Sequence, residues 1–268
     1  MSTERKDHEP KAADGRVRLD VAAWALALAV GCRAIEIFLE AQSLATAVGQ
    51  AVLVEWGAAR LGVGWSDPAV TTTSGTIARR AGIGAAAGLG AAALVFVTLL
   101  ATRGVTVERV AHVELSILGI GLVTAGLHAW RDELLLHGLA LRALGTSVPP
   151  VARVVACGVT SAGAALGRSD ASARTVFAAA LLGLVFGMFW VRDRGAWQPW
   201  AAHASFRWTI GTLLSGGLVH SRLADDAWAG GNAGWLGGTA AVVALTPLAV
   251  TSVLSAARRI SPRSSKRG

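Results

Sequence analysis

Two short islands of ionisable residues interrupt an otherwise apolar chain. The first is His128-Ala129-Trp130-Arg131-Asp132-Glu133-Leu134-Leu135-Leu136-His137-Gly138. At about 100° per helical residue, Glu133 and His137 share one face a turn apart, and so do His128 and Asp132. The second is Trp197-Gln198-Pro199-Trp200-Ala201-Ala202-His203-Ala204-Ser205-Phe206-Arg207, with His203 and Arg207 again one turn apart. A carboxylate beside an imidazole is suited to moving a proton on and off water. Ionisable groups among apolar neighbours are costly and mark functional sites by default. Two plainer readings compete: the first island ends a helix at a wetted interface, and His203 is a packed, hydrogen-bonded core residue. Depth favours a joint site, because Glu133 falls near the inner end of one hydrophobic segment and His203 in the inner half of another.

The elements that must carry these residues are membrane helices. Of 268 residues, 53% are hydrophobic and 16% charged, against about a quarter charged in a soluble domain. The apolar runs are long and continuous, which favours helices over the alternating strands of a barrel. The chain is expected to be an all-α, polytopic transmembrane bundle of about eight spans. Their approximate bounds are 19–39, 44–63, 81–101, 111–130 (running into 131–144), 151–167, 173–191, 196–218 and 235–257. Pro149-Pro150 breaks the chain after the fourth. The third is rich in Gly and Ala, which suits close helix packing. A Ser/Thr-rich loop, Ser66 to Thr76, precedes it.

This divides the chain into a cytoplasmic tail (1–18), N-terminal helices (19–110), a core (111–220), a final loop and helix (221–257) and a basic tail (258–268). Both tails read as solvated and disordered. The net charge of +8 is a membrane-orientation signal rather than a nucleic-acid one. With the N-terminus in the cytoplasm, the basic residues fall inside except Arg103, Arg109, Arg168, Arg174 and Arg222, with Arg33 and Arg207 within spans. Both termini are therefore expected to be cytoplasmic, and high Ala, Gly, Arg and Trp content suggests a bacterial inner membrane. Two cysteines, Cys32 and Cys157, both within apolar runs, offer neither a disulfide framework nor a cysteine zinc module.

The two islands resemble the motifs of the CPBP (CAAX protease and bacteriocin-processing, Abi-like) family of intramembrane proteases. Asp132-Glu133-Leu134-Leu135-Leu136-His137-Gly138 is similar to its Glu-Glu-x-x-x-Arg followed by Gly. Arg194-Gly195-Ala196-Trp197-Gln198-Pro199 leading to His203 is similar to the approach to its last motif, His-x-x-x-Asn. The resemblance covers roughly 118–214. There are four departures. Asp132 replaces the first glutamate, His137 the arginine and Arg207 the asparagine. In the fifth span, the closest register to the middle motif Phe-x-x-x-His is Ala162–Leu166, with leucine at the histidine position. Phe186–Trp190 mimics that motif but sits too close to His203 to be it.

The resemblance implies peptide hydrolysis within the membrane. Glu133 would take the water proton, Asp132 would support it, and His203 with Arg207 would stabilise the oxyanion. A metal version would use Glu133, His137 and His203, two imidazoles and a carboxylate of the kind that holds catalytic Zn; no His-Glu-x-x-His signature is present. The implied partners are membrane lipid and a hydrophobic peptide or transmembrane-segment substrate, with myxosortase-type sorting tails one option. The alternative is a proteolytically inactive relative that binds a transmembrane segment as a scaffold, immunity or sorting partner. A third reading, a small transporter, would make Arg33, Glu36 and Glu55 the pathway, but no inverted repeat supports it, and pairing of Arg33 with Glu36 is expected instead.

Overall fold

A computed structural model describes residues 18–39, 43–67, 72–167 and 171–258. The tails expected to be disordered lie, apart from Arg18 and Arg258, outside the described residues. The expected segments are all helical. They are α1 (Leu19–Phe38), α2 (Leu44–Arg60), α3 (Ser74–Ala101), α4 (Leu115–Asp132), α5 (Leu139–Leu144), α6 (Pro150–Leu166), α7 (Ala173–Asp193), α8 (Trp197–Trp208) and α9 (Thr239–Arg258). A π-helical turn, Glu133–Gly138, joins α4 to α5, and a second, Thr209–Leu213, extends α8. Among the described residues, α1, α3, α7 and α9 are long and apolar enough to cross a membrane on their own. The shorter α2, α4, α6 and α8 carry many of the polar residues and pack among the others.

The main differences from expectation are two helix starts and one pair of strands. α3 begins at Ser74, because the Thr73 hydroxyl accepts the Thr76 N–H at 3.3 Å and caps about two turns, Ser74–Arg80, ahead of the apolar run. α9 begins at Thr239, after a glycine-rich stretch in which Gly234 takes a positive φ of 74°. The segments Val105–Arg109 (β1) and Val219–Leu223 (β2) form an antiparallel pair, Val105 opposite Leu223 and Arg109 opposite Val219. Hydropathy had no means of signalling this short ribbon between two helix ends.

Large apolar side chains face outward along the helices, among them Leu26, Val30, Ile37, Leu115, Val159, Leu166 and Phe177. In water such a surface would be a liability; against lipid it is the required one. The chain is thus an integral membrane, all-α bundle. Its interior holds two buried clusters, one built from α3, α7, α8 and α9, the other from α1, α2, α5, α6 and the first π turn. Leu134 belongs to the second and Ala202 to the first, so Glu133 and His203 meet where the clusters join.

Close helix contact fixes α8. A Cβ at Gly84 or Gly88 of α3 would strike the carbonyl oxygen of Gln198 or Ala202, so these two glycines let the backbones of α3 and α8 touch. The Ser205 hydroxyl donates to the Ala85 carbonyl at 3.0 Å across the same contact.

Candidate active site

The turn that delivers His203 explains the basic-Gly-x-x-x-Pro approach. Arg194 caps α7 in the left-handed region, φ 51°. Its guanidinium pairs with Asp67. A Cβ at Gly195 would stand 2.7 Å from the Trp65 carbonyl oxygen, so only glycine passes there without a shift of backbone. The Ala196 N–H donates to that same carbonyl at 3.0 Å. Pro199 falls in the first turn of α8, where no intrahelical N–H bond is lost.

The fourth segment delivers its carboxylates differently from one another. Glu133 opens the π turn and is 0% exposed. Its Oε1 faces His203 Nδ1 at 3.0 Å. Its Oε2 faces His137 Nδ1 at 2.8 Å and accepts the Trp190 indole N–H at 2.6 Å. A carboxylate only accepts, so both imidazoles present an N–H to it. The Ser161 hydroxyl lies 3.0 Å from His137 Nε2 and completes the chain. Phe186 stacks on the His203 ring, with centroids 4.8 Å apart. π turns recur at functional sites, and this one begins at the first residue of the cluster.

Asp132 sits beside Glu133 yet faces another way, into a cavity of about 850 Å³ bounded by α1, α4, α6, α7 and α8. Its Oδ1 takes the Arg131 guanidinium at 2.6 Å, and its Oδ2 takes Arg207 at 3.2 Å. His203 Nε2 lies 3.9 Å from the same Oδ2. His203, Arg207, Asp132, Ser161 and His128 all line the cavity, whereas Glu133 and His137 do not.

Helices outside the motif region reach this centre. Gln50 of α2, fully buried, donates to the Cys32 carbonyl and to Glu36, each at 3.0 Å, and accepts from Arg131. Glu36 also pairs with Arg33 at 2.7 Å, as expected, and approaches Arg131 at 3.5 Å. Three guanidiniums (Arg33, Arg131, Arg207) and three carboxylates (Glu36, Asp132, Glu133) thus share one connected network, which offsets the cost of charge at membrane depth. Glu55, a pathway residue in the transporter reading, instead accepts the indole N–H groups of Trp65 and Trp130, at 3.1 and 2.8 Å.

All five expected site residues, Asp132, Glu133, His137, His203 and Arg207, therefore come together, and their arrangement differs from the roles expected of them. Glu133 is bonded at both oxygens and shielded from the cavity, where a water-activating base must be open to water. The set Glu133, His137 and His203 does not fit a metal as arranged, because each imidazole turns its Nδ1 to Glu133 and His137 Nε2 meets Ser161. Among the described residues no group of three or more His, Cys, Asp or Glu is placed to hold an ion. Leu166, at the expected middle-motif position, is 66% exposed on the outer face of α6. Sequence reasoning missed Gln50, Ser161, Phe186 and Trp190. Gln50 and Ser161 had a signal, being polar side chains in apolar segments. Trp190 and Phe186, one turn apart in the segment set aside as a false motif, both reach the site.

No curated protein matches the chain, and no solved structure does. A family model described as "Rce1-like: Type II CAAX prenyl endopeptidase Rce1-like" matches residues 114–209, the span that contains both islands. The carboxylate pair, the histidine of α8 and the turn leading to it all lie inside that span, so this stretch of the chain is similar to the CAAX-type intramembrane proteases of the CPBP family.

Proposed function

We propose that this protein is an intramembrane endopeptidase that cuts a membrane-anchored peptide with His203 as the base. The observation that carries this is the Glu133–His203 contact: a shielded carboxylate takes the Nδ1–H at 3.0 Å, which leaves the lone pair on Nε2 free in a residue that lines the cavity. A buried carboxylate that fixes the tautomer and orientation of a histidine supports the imidazolium formed when the histidine takes a proton. A water between His203 Nε2 and Asp132 Oδ2, 3.9 Å apart, is within reach of both.

The step follows from these positions. Water gives its proton to Nε2 while its oxygen attacks the scissile carbonyl. The Arg207 guanidinium, at the cavity wall, offsets the charge on the carbonyl oxygen. As the C–N bond breaks, Nε2 returns the proton to the leaving amine. Asp132 holds Arg207 and the water, and Glu133 is a positioning residue. The apolar walls fit a hydrophobic substrate, such as a prenylated terminus or a sorting tail with a hydrophobic helix.

A second reading, a binding protein that does not cut, is favoured by one observation: both Asp132 oxygens are held by guanidiniums, Arg131 and Arg207. The test is to incubate detergent-purified protein with a tagged farnesylated peptide ending in Cys-aliphatic-aliphatic-Met and with a tagged transmembrane-tail peptide, and to read products by mass spectrometry. Cleavage by wild type that is lost in His203→Ala and in Asp132→Asn is expected. Cleavage that survives in His203→Ala removes His203 from the chemistry. Saturable binding without a product supports the second reading.

A further inference from the structure

His128 lies on α4 one turn before Asp132 and lines the same cavity. It is 4% exposed, and neither Nδ1 nor Nε2 has a hydrogen-bond partner. The other two imidazoles of the site each have a hydrogen-bond partner: His137 has Glu133 and Ser161, and His203 has Glu133 at Nδ1. A buried polar group left unpaired is costly and calls for an explanation. A packed core residue would gain from being Leu here, so a role in the fold does not supply one.

We infer that His128 binds the main chain of an unwound peptide segment in the cavity, a reading that rests on the proposed peptide substrate. A neutral imidazole carries one donor and one acceptor, and a peptide unit offers one carbonyl and one N–H in return. A helical segment has already used both internally, so only an unwound stretch pairs with His128. One helical turn is about 5.4 Å, so a segment held at His128 runs past Asp132 and His203. The peptide unit bound at His128 is therefore next to the one that is cut, and His128 sets which bond faces the base.

The experiment uses Asp132→Asn protein in detergent, so that bound peptide stays intact. Two variants are compared in it: His128→Leu removes the polar atoms, and His128→Gln keeps a donor and an acceptor. Thermal unfolding without peptide reads the unpaired groups, and His128→Leu is expected to unfold a few degrees higher, about 2–4 °C for each unit of stability regained. Binding of the farnesylated and transmembrane-tail peptides, fluorescein-labelled, is then read by polarisation. His128→Leu is expected to weaken binding roughly tenfold, the value of one hydrogen bond, and His128→Gln to restore most of it. An unchanged or lower unfolding temperature for His128→Leu overturns the inference, as does unaltered affinity or the absence of saturable binding of either peptide. Failure of wild type to cleave a peptide that binds in this His128-dependent way counts against the proteolytic reading and leaves the inference standing.

Discussion

His203 of α8 and Glu133 of the π turn, 70 positions apart in the chain, meet at 3.0 Å across the bundle, Nδ1 to Oε1. Glu133 is closed to the cavity and His203 is open to it. In the proposed mechanism that asymmetry divides their roles: Glu133 holds and His203 reacts.

Glu133→Gln tests the holding role. The amide keeps the volume but offers one accepting oxygen where the carboxylate met two imidazoles and an indole. The expected result is a loss of about 10²–10⁴ in kcat with little change in KM. Glu133→Leu goes further and leaves buried N–H groups unpaired at about 1–3 kcal/mol each. Thermal unfolding in detergent is expected to show the second effect and steady-state cleavage the first.

Gln50→Leu tests whether the first two helices serve the site. Gln50 ties the Cys32 carbonyl and Glu36 to Arg131, which in turn holds Asp132. Loss of that tie is expected to destabilise by about 1–3 kcal/mol and to lower kcat, while Gln50→Glu, which still accepts from Arg131, retains more activity. A Leu variant with wild-type unfolding and wild-type kcat would uncouple α1 and α2 from the site.

Gly195→Val tests the turn before α8. Its Cβ would lie 2.7 Å from the Trp65 carbonyl oxygen, so backbone must shift and His203 moves with it. A misplacement of about 1 Å can cost 10²-fold in rate. Folded protein with at least tenfold lower kcat is expected, checked by unfolding and cleavage in parallel.

Chelation tests the donor arrangement. Because Glu133, His137 and His203 bond to one another and to Ser161 rather than opening to a shared point, treatment with a strong chelator followed by desalting is expected to leave the cleavage rate unchanged. A loss restored by added Zn²⁺ would require a different arrangement of these side chains.

The helices were legible in the sequence because apolar runs of spanning length leave little choice of backbone in lipid. Their polar ends were less so: Ser74–Arg80 continue α3 beyond the apolar run. The site residues Asp132, Glu133, His137, His203 and Arg207 stood out by type and spacing. Their roles did not, because Asp132 and Glu133 are adjacent and only the packing decides which one meets the cavity. Trp190 and Gln50 were hidden for the same reason. An indole or amide in an apolar helix becomes part of a site only when the fold brings it to a carboxylate or guanidinium.

The most direct measurement compares peptide cleavage by wild type, His203→Ala and Glu133→Gln, each shown by thermal unfolding to be folded. The account predicts measurable cleavage by wild type, at least 10²-fold less in Glu133→Gln, and none above background in His203→Ala. Cleavage by His203→Ala at the wild-type rate would contradict it.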